Sequence, residues 1–252
     1  MKTNIHINPK YKILDEFVLS IPGIFKESGE ILYEDRNVIK KYNYKGLEIN
    51  VKSFKVPPLI NKFAYCYLRD SKAKRSYDHA IYLKTKSIGT PDPIAYIEIS
   101  KGYLFKESYY ISIHENTDGT IRNILGYGSE IRNDRLLIDF IQFTANLHNN
   151  NILHKDYSPG NILYREKAGK YQFLLVDLNR MRFGKCNIIS RCRSFRRLKL
   201  NKQDIPNIAE TYSRLCGYHI ASCFFLIYSY NILFWKIFLF KHPEVRQQIK
   251  RE

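Results

Sequence analysis

Apolar positions along this chain follow two successive rhythms. Between residues 30 and 113 they alternate in short runs. Segments 31–33, 38–44 and 47–54 are separated by Glu34-Asp35-Arg36-Asn37 and Lys45-Gly46, the spacing of an antiparallel meander. Pro57-Pro58 breaks that pattern. Residues 71–84 then read as a helix capped by Ser71, with Ala73, Tyr77, Ala80 and Ile81 on one face. After the rigid turn Ile88-Gly89-Thr90-Pro91-Asp92-Pro93, segments 94–99 and 103–113 read as two more strands joined at Lys101-Gly102. Beyond the polar stretch 114–120 the rhythm becomes helical. Leu136, Leu137, Phe140, Ile141, Thr144 and Leu147 recur at three- and four-residue steps, predicting a buried amphipathic helix over 133–148 capped by Asn133. A hairpin is predicted from 162–164 and 171–176 around Glu166-Lys167-Ala168-Gly169. Residues 1–28 carry no clear motif. Residues 219–235 have no formal charge and are rich in Phe, Leu, Ile and Tyr. Three polar residues, Ser222, Ser229 and Asn231, interrupt the run, so it reads as a core helix rather than a membrane span.

This pattern predicts an α+β chain in two parts, a strand-rich part over 1–113 and a mostly helical part over 114–252. Its 252 residues suffice for a sizeable core. The net charge of +17 favours anionic partners: nucleotide, phosphorylated glycan, acidic membrane surface or nucleic acid. Twenty tyrosines and fifteen phenylalanines exclude a disordered basic tail. The five cysteines, Cys66, Cys186, Cys192, Cys216 and Cys223, form no C-x-x-C pair, which argues against a zinc site or a disulfide framework. No apolar run precedes the charges of the first nineteen residues, so a reducing, cytoplasmic setting is expected.

Candidate chemistry concentrates in HKDYSPGNILY, residues 154–164. His154 and Asp156, followed five residues later by Asn161, match the H-x-D-x-x-x-x-N form of a kinase catalytic loop. In such a loop the aspartate takes the proton of the attacking hydroxyl, and the asparagine turns its amide oxygen to a metal ion. The predicted hairpin that follows ends at Asp177, where kinases carry a magnesium-binding aspartate. An H-x-D alone, or an acid after a strand alone, is ordinarily a solvated turn. The ordered series of helix, loop, hairpin and Asp177 is what raises it above that.

Two further positions belong with this series. Ile49-Asn50-Val51-Lys52 has the apolar-x-apolar-Lys form in which a strand lysine reaches nucleotide phosphates, the alternative being a surface lysine in a lysine-rich chain. Asp78 is the acid available on the predicted helix 71–84 to hold that lysine, or else it is simply solvated. Past Asp177, residues 182–202 hold Arg182, Lys185, Arg191, Arg193, Arg196, Arg197, Lys199 and Lys202 with no acid. An anionic acceptor bound by Arg191, Arg193, Arg196 and Arg197 would account for that run; a solvated basic loop or a nucleic-acid patch would as well.

NVKSFKVP around Lys52, SKAKRSYDHA, IGTPDPIAYIE, HKDYSPGNILY and LLVDLNR together resemble the lipopolysaccharide core kinase family, over about residues 31–212. That resemblance implies a two-lobed protein-kinase-like fold, with an antiparallel-sheet first lobe that binds nucleotide and a helical second lobe. It implies ATP and Mg2+ as cofactors, with Lys52 on ATP phosphates, His154 and Asp156 in the catalytic loop, Asp156 as base, and Asn161 and Asp177 on magnesium. The acceptor would be a Kdo or heptose hydroxyl of a lipopolysaccharide core or lipid A precursor. The protein would be peripheral on the cytoplasmic face of the anionic inner membrane, and nucleic acid is not the expected partner. Three departures stand out: Asp35-Arg36-Asn37 has no glycine for a phosphate clamp, Asp177 is followed by Leu-Asn-Arg, and no A-P-E follows. Ser158 two residues after Asp156, where Ser/Thr protein kinases carry lysine, points to a small-molecule or glycan acceptor. The loop also resembles that of aminoglycoside and choline phosphotransferases, which leaves a soluble-acceptor enzyme as one alternative and a non-catalytic pseudokinase as another.

Overall fold

The structure, a computed structural model, describes residues 1–54, 70–102, 104–125, 133–198 and 200–243. The Pro57-Pro58 break, Cys66, the expected strand start at Tyr103, and Lys199 lie outside the described residues. The chain divides into two compact units: residues 1–116 with 177–179, and residues 117–176 with 180–252. The expectation that all of 114–252 forms the second part is corrected for His114-Glu115-Asn116 and for Asp177-Leu178-Asn179, which group with the first unit.

The first unit is built on a six-stranded antiparallel sheet of β1 (Lys2–Ile7), β2 (Glu30–Glu34), β3 (Asn37–Tyr44), β4 (Leu47–Phe54), β5 (Pro93–Lys101) and β6 (Leu104–Ile113), in the order β1-β5-β6-β4-β3-β2. The meander β2-β3-β4 forms as its turns predict; Lys45 and Gly46 both take positive φ at the second turn, the requirement of a two-residue hairpin. Alternation splits the sheet into two faces. Ile49, Val51, Ile97 and Ile111 pack against Leu14, Phe17, Val18 and Ile21 of α1 (Asp15–Ile24) and the turn before it. On the other face Phe54, Tyr96 and Tyr110 pack against Ala73 and Tyr77 of α2 (Lys72–Thr85). Ser71 caps α2 by accepting the Lys74 N–H. Ala73, Tyr77 and Ala80 are buried as expected, whereas Ile81 is exposed. Within residues 1–28, β1 and α1 are elements that the sequence reading leaves without a motif. β1 pairs along β5, with Thr3 opposite Ile99 and Ile5 opposite Ile97.

The second unit centres on α3 (Asp134–Asn149), whose buried face of Leu136, Phe140, Ile141, Thr144 and Leu147 follows the predicted stripe; Asn133 caps it by accepting the Leu136 N–H. β7 (Gly119–Thr120), β9 (Ile162–Lys167) and β10 (Lys170–Leu175) form a small sheet, and β8 (Ile152–His154) pairs with β11 (Met181–Phe183). The β9-β10 strands outrun their predicted bounds because the turn is only two residues, Ala168 and Gly169, both at positive φ. α4 (Ile188–Ser194), α5 (Ile205–Cys216) and α6 (Ile220–Lys241) complete the unit. α5 ends at Gly217, left-handed at φ 68°, as helix ends favour. Three polar contacts pair within the core: His148 Nδ1 lies 2.7 Å from the Tyr212 hydroxyl, Ser194 Oγ is 3.2 Å from His148 Nε2, and Thr144 Oγ1 is 2.8 Å from the Tyr157 hydroxyl. Burial pushes the His148 imidazole down to a pKa of about 3.

α6 is not the core helix expected for residues 219–235. Only Cys223, Ile227 and Asn231, a single i, i+4 stripe, are buried. The uniform apolarity of the segment carries no information about which side meets the protein, and here most sides do not.

Candidate active site

The loop between β8 and β9 is held by its own polar groups. His154 is 2% exposed. Its Nδ1 accepts the Asp156 N–H at 3.1 Å, so Nε2 carries the proton and donates to the Val176 carbonyl at 3.1 Å. The Asn161 amide donates from Nδ2 to the Asp156 carbonyl at 2.9 Å, and the Asn161 carbonyl accepts the Val176 N–H at 3.0 Å. These bonds fix Asp156 and Asn161 relative to each other and tie both to the residue preceding Asp177. Tyr157, fully buried and stacked on Phe140, anchors the next position. The expected catalytic role of His154 is corrected: a buried ring committed at both nitrogens positions the loop instead of meeting a substrate.

Asp156 faces cations. Its Oδ1 accepts from Arg197 Nη1, and Arg180 Nη1 lies 4.0 Å from its Oδ2. The four arginines proposed for acceptor binding therefore separate. Arg197 meets Asp156 directly. Arg196 and Arg193 lie over the Phe234 and Tyr230 rings, each at 6.0 Å, and Arg193 is exposed. Arg191 is 8% exposed; its Nε donates to the Cys186 carbonyl and its Nη1 to Asn149 Oδ1. Its expected acceptor role is corrected to a structural one, since its donors are spent on joining α4 to the end of α3.

In the first unit Lys52 projects from β4 on the α2 side of the sheet. Its Nζ donates to Asp177 Oδ1 at 2.5 Å, a pair with side chains 15% and 27% exposed. Asn179 Nδ2 donates to the same oxygen at 2.7 Å. Asp177 adopts φ 58°, a left-handed conformation that Asp tolerates better than most residues. The 177–179 turn is held to α2 by His79, whose Nδ1–H donates to the Leu178 carbonyl at 2.7 Å. Asp78 is corrected as the partner of Lys52: it lies exposed on α2, and Asp177 takes the lysine.

Lys72, the first residue of α2, is a site residue that sequence reasoning missed. Lys52 and Lys72 lie over the same Phe54 ring, at 5.2 and 5.9 Å. Desolvation holds the Lys72 ammonium below its ordinary pKa; Asp177 opposes this, while Arg75, Lys52 and Arg36 add to it. So Asp177 meets the charges of Lys52 and Lys72, and Arg36 from the glycine-free hairpin turn is close enough to Lys72 to act on it. A lysine at a helix start, where acids are favoured, was the available signal.

The fold is that of a kinase-like protein. The structure resembles one solved as "WaaP in complex with acyl carrier protein", with a TM-score of 0.58 and 13% identity, over 98% of this chain and 97% of that one. No family model matches the sequence. No curated protein matches it.

Proposed function

We propose that this protein is an ATP-dependent phosphotransferase acting on a sugar hydroxyl of an anionic glycolipid precursor, with the Kdo or heptose of a lipopolysaccharide inner core as the acceptor class and the cytoplasmic face of the membrane as its place of work. The observation that carries this reading is the Lys52–Asp177 ion pair. Two residues 125 positions apart, picked out independently as a phosphate-binding lysine and a metal-binding acid, meet directly.

The cations at Asp177 suit a polyphosphate. Lys52 and Lys72 hold the phosphates as point charges, and Arg36 supplies from its turn a charge in place of the backbone clamp that glycines would make. For magnesium, the first unit offers the Asp177 carboxylate, a hard oxygen ligand of the kind that Mg2+ takes alongside phosphate and water, and the Asn161 amide oxygen of the second unit is of the same chemical kind. Among the described residues no three acidic, His or Cys side chains cluster to hold a metal ion. Bound Mg2+ supplies neutralisation of phosphate charge.

Asp156 accepts the proton of the acceptor hydroxyl. That oxygen forms a bond to the terminal phosphorus as the bridging P–O bond breaks and ADP departs. His154 and Asn161 keep the carboxylate oriented. Arg197 and Arg180 place positive charge beside the base, which suits an acceptor bearing carboxylates or phosphates and disfavours the cationic acceptors of aminoglycoside-type enzymes.

The test is mass spectrometry of lipopolysaccharide from cells with and without the gene, and from cells carrying Asp156→Asn. Loss of one phosphate in both altered strains is expected. Unchanged lipopolysaccharide in both would remove the glycolipid acceptor, and absence of any ATP turnover with purified precursor would remove the kinase.

A further inference from the structure

α6 combines three properties. It is 22 residues long, carries no formal charge between Ile220 and Trp235, and fully buries only Cys223, Ile227 and Asn231. Its other side is open: Phe225 is 66% exposed, Leu233 56%, Ile237 47% and Phe240 85%. These four recur at intervals of eight, four and three residues, so they share one face, about 22 Å long at 1.5 Å per residue. Ser229 and Lys236 interrupt that face, and an exposed surface so largely apolar marks an interaction site.

Among the described residues, the charged side chains named at this face are all cationic. Lys236 stands among the exposed apolar residues and Lys241 at their end. Arg193 and Arg196 flank the helix on Tyr230 and Phe234. Neither α6 nor the segment 182–202 holds an acid. A second copy seated face to face by two-fold symmetry would bring these cations against their own duplicates. An anionic surface would neutralise them, and lysine stems can lie along apolar surface while their ammonium groups reach phosphate.

We propose that the outward face of α6 docks on an anionic lipid bilayer, lying in the plane of the headgroups with Phe225, Leu233, Ile237 and Phe240 in the acyl boundary and Lys236 and Lys241 on lipid phosphates. The helix lies on the membrane and does not cross it, because its buried stripe stays committed to the protein. The inference uses only second-unit residues and stands apart from phosphotransfer.

The experiment is flotation of the full chain with phosphatidylcholine vesicles, with or without phosphatidylglycerol, at low and high salt. Binding to the anionic vesicles is expected, weakened by salt. Lys236→Ala with Lys241→Ala should weaken it about thirtyfold, at roughly fivefold per charge. Phe225→Ser with Phe240→Ser should abolish it; both residues are exposed, so circular dichroism should match the wild type. The proposal is overturned if the wild type ignores anionic vesicles at low salt, or if the serine variant floats as well. It is equally overturned if the wild type sediments as a dimer that the serine variant dissociates, without vesicle binding, since the face would then join two copies.

Discussion

Replacing Lys52 with Met isolates charge from shape. Methionine matches the length of the lysine stem, so contact with Phe54 is kept while the ammonium is lost. Asp177 retains the hydrogen bond from Asn179 and the charge of Lys72 but loses the ammonium bonded to it. A hydrogen bond to a charged partner is worth roughly 1.5–3 kcal/mol net, and both side chains retain some exposure, so the fold should lose about 1–2 kcal/mol. At 2–4 °C per kcal/mol for a chain of this size, the melting temperature should fall by roughly 2–8 °C. Function should suffer more. Removing one preorganised donor from a reacting phosphate should lower turnover by about 10²–10³-fold. Scanning fluorimetry gives the first quantity, and labelled-phosphate transfer the second. Parallel binding of ATP and of adenosine separates charge from packing, since only ATP should weaken. Equal losses for both ligands, or ATP binding as tight as in the wild type, would refute the phosphate role of Lys52.

Arg191→Ala should destabilise the second unit by about 2–4 kcal/mol, because it strips donors from the buried Cys186 carbonyl and from Asn149; a denaturant midpoint unchanged from wild type would return Arg191 to the surface. His148 has its folded pKa depressed to about 3 from 6.5, so the unfolded state binds the extra proton and stability falls as pH drops below about 6.5. One such group costs about 2 kcal/mol at pH 5, and His148→Gln should flatten that part of a urea-midpoint profile. Asn231 buries an amide whose Nδ2 has no partner among the described residues; Asn231→Leu should raise stability by about 1 kcal/mol, read as an increase in melting temperature.

Much of this architecture could be read from local pattern. The β2-β3-β4 meander, the caps Ser71 and Asn133, and the loop holding Asp156 and Asn161 depend on residues within a few positions of each other. What escaped depends on distance or on context. The sequence offers Asp78 to Lys52 because it is the acid on the predicted helix 71–84, whereas the observed partner lies 125 residues away. Arg191 looked like its three neighbours in a basic run; only packing at the end of α3 spends its donors. β1 was hidden in a leader whose Thr3, Ile5 and Ile7 alternate with polar residues but acquire meaning only opposite β5. α6 shows the limit of periodicity: a helix apolar on every side gives no direction, and the inward side proved to be a single narrow stripe.

The short turn Asp177-Leu178-Asn179 has a consequence for biosynthesis. The first unit lacks three of its residues until sixty more, 117–176, have been translated. At about 5–20 residues per second, that is a wait of roughly 3–12 s. During it Lys52 has no carboxylate from Asp177 and His79 no carbonyl from Leu178, so the nascent sheet is a chain with its last fastener still to be made. A fragment ending at residue 116 should therefore hold its strands but melt early, and supplying the LLVDLNR segment as a peptide should restore part of the loss.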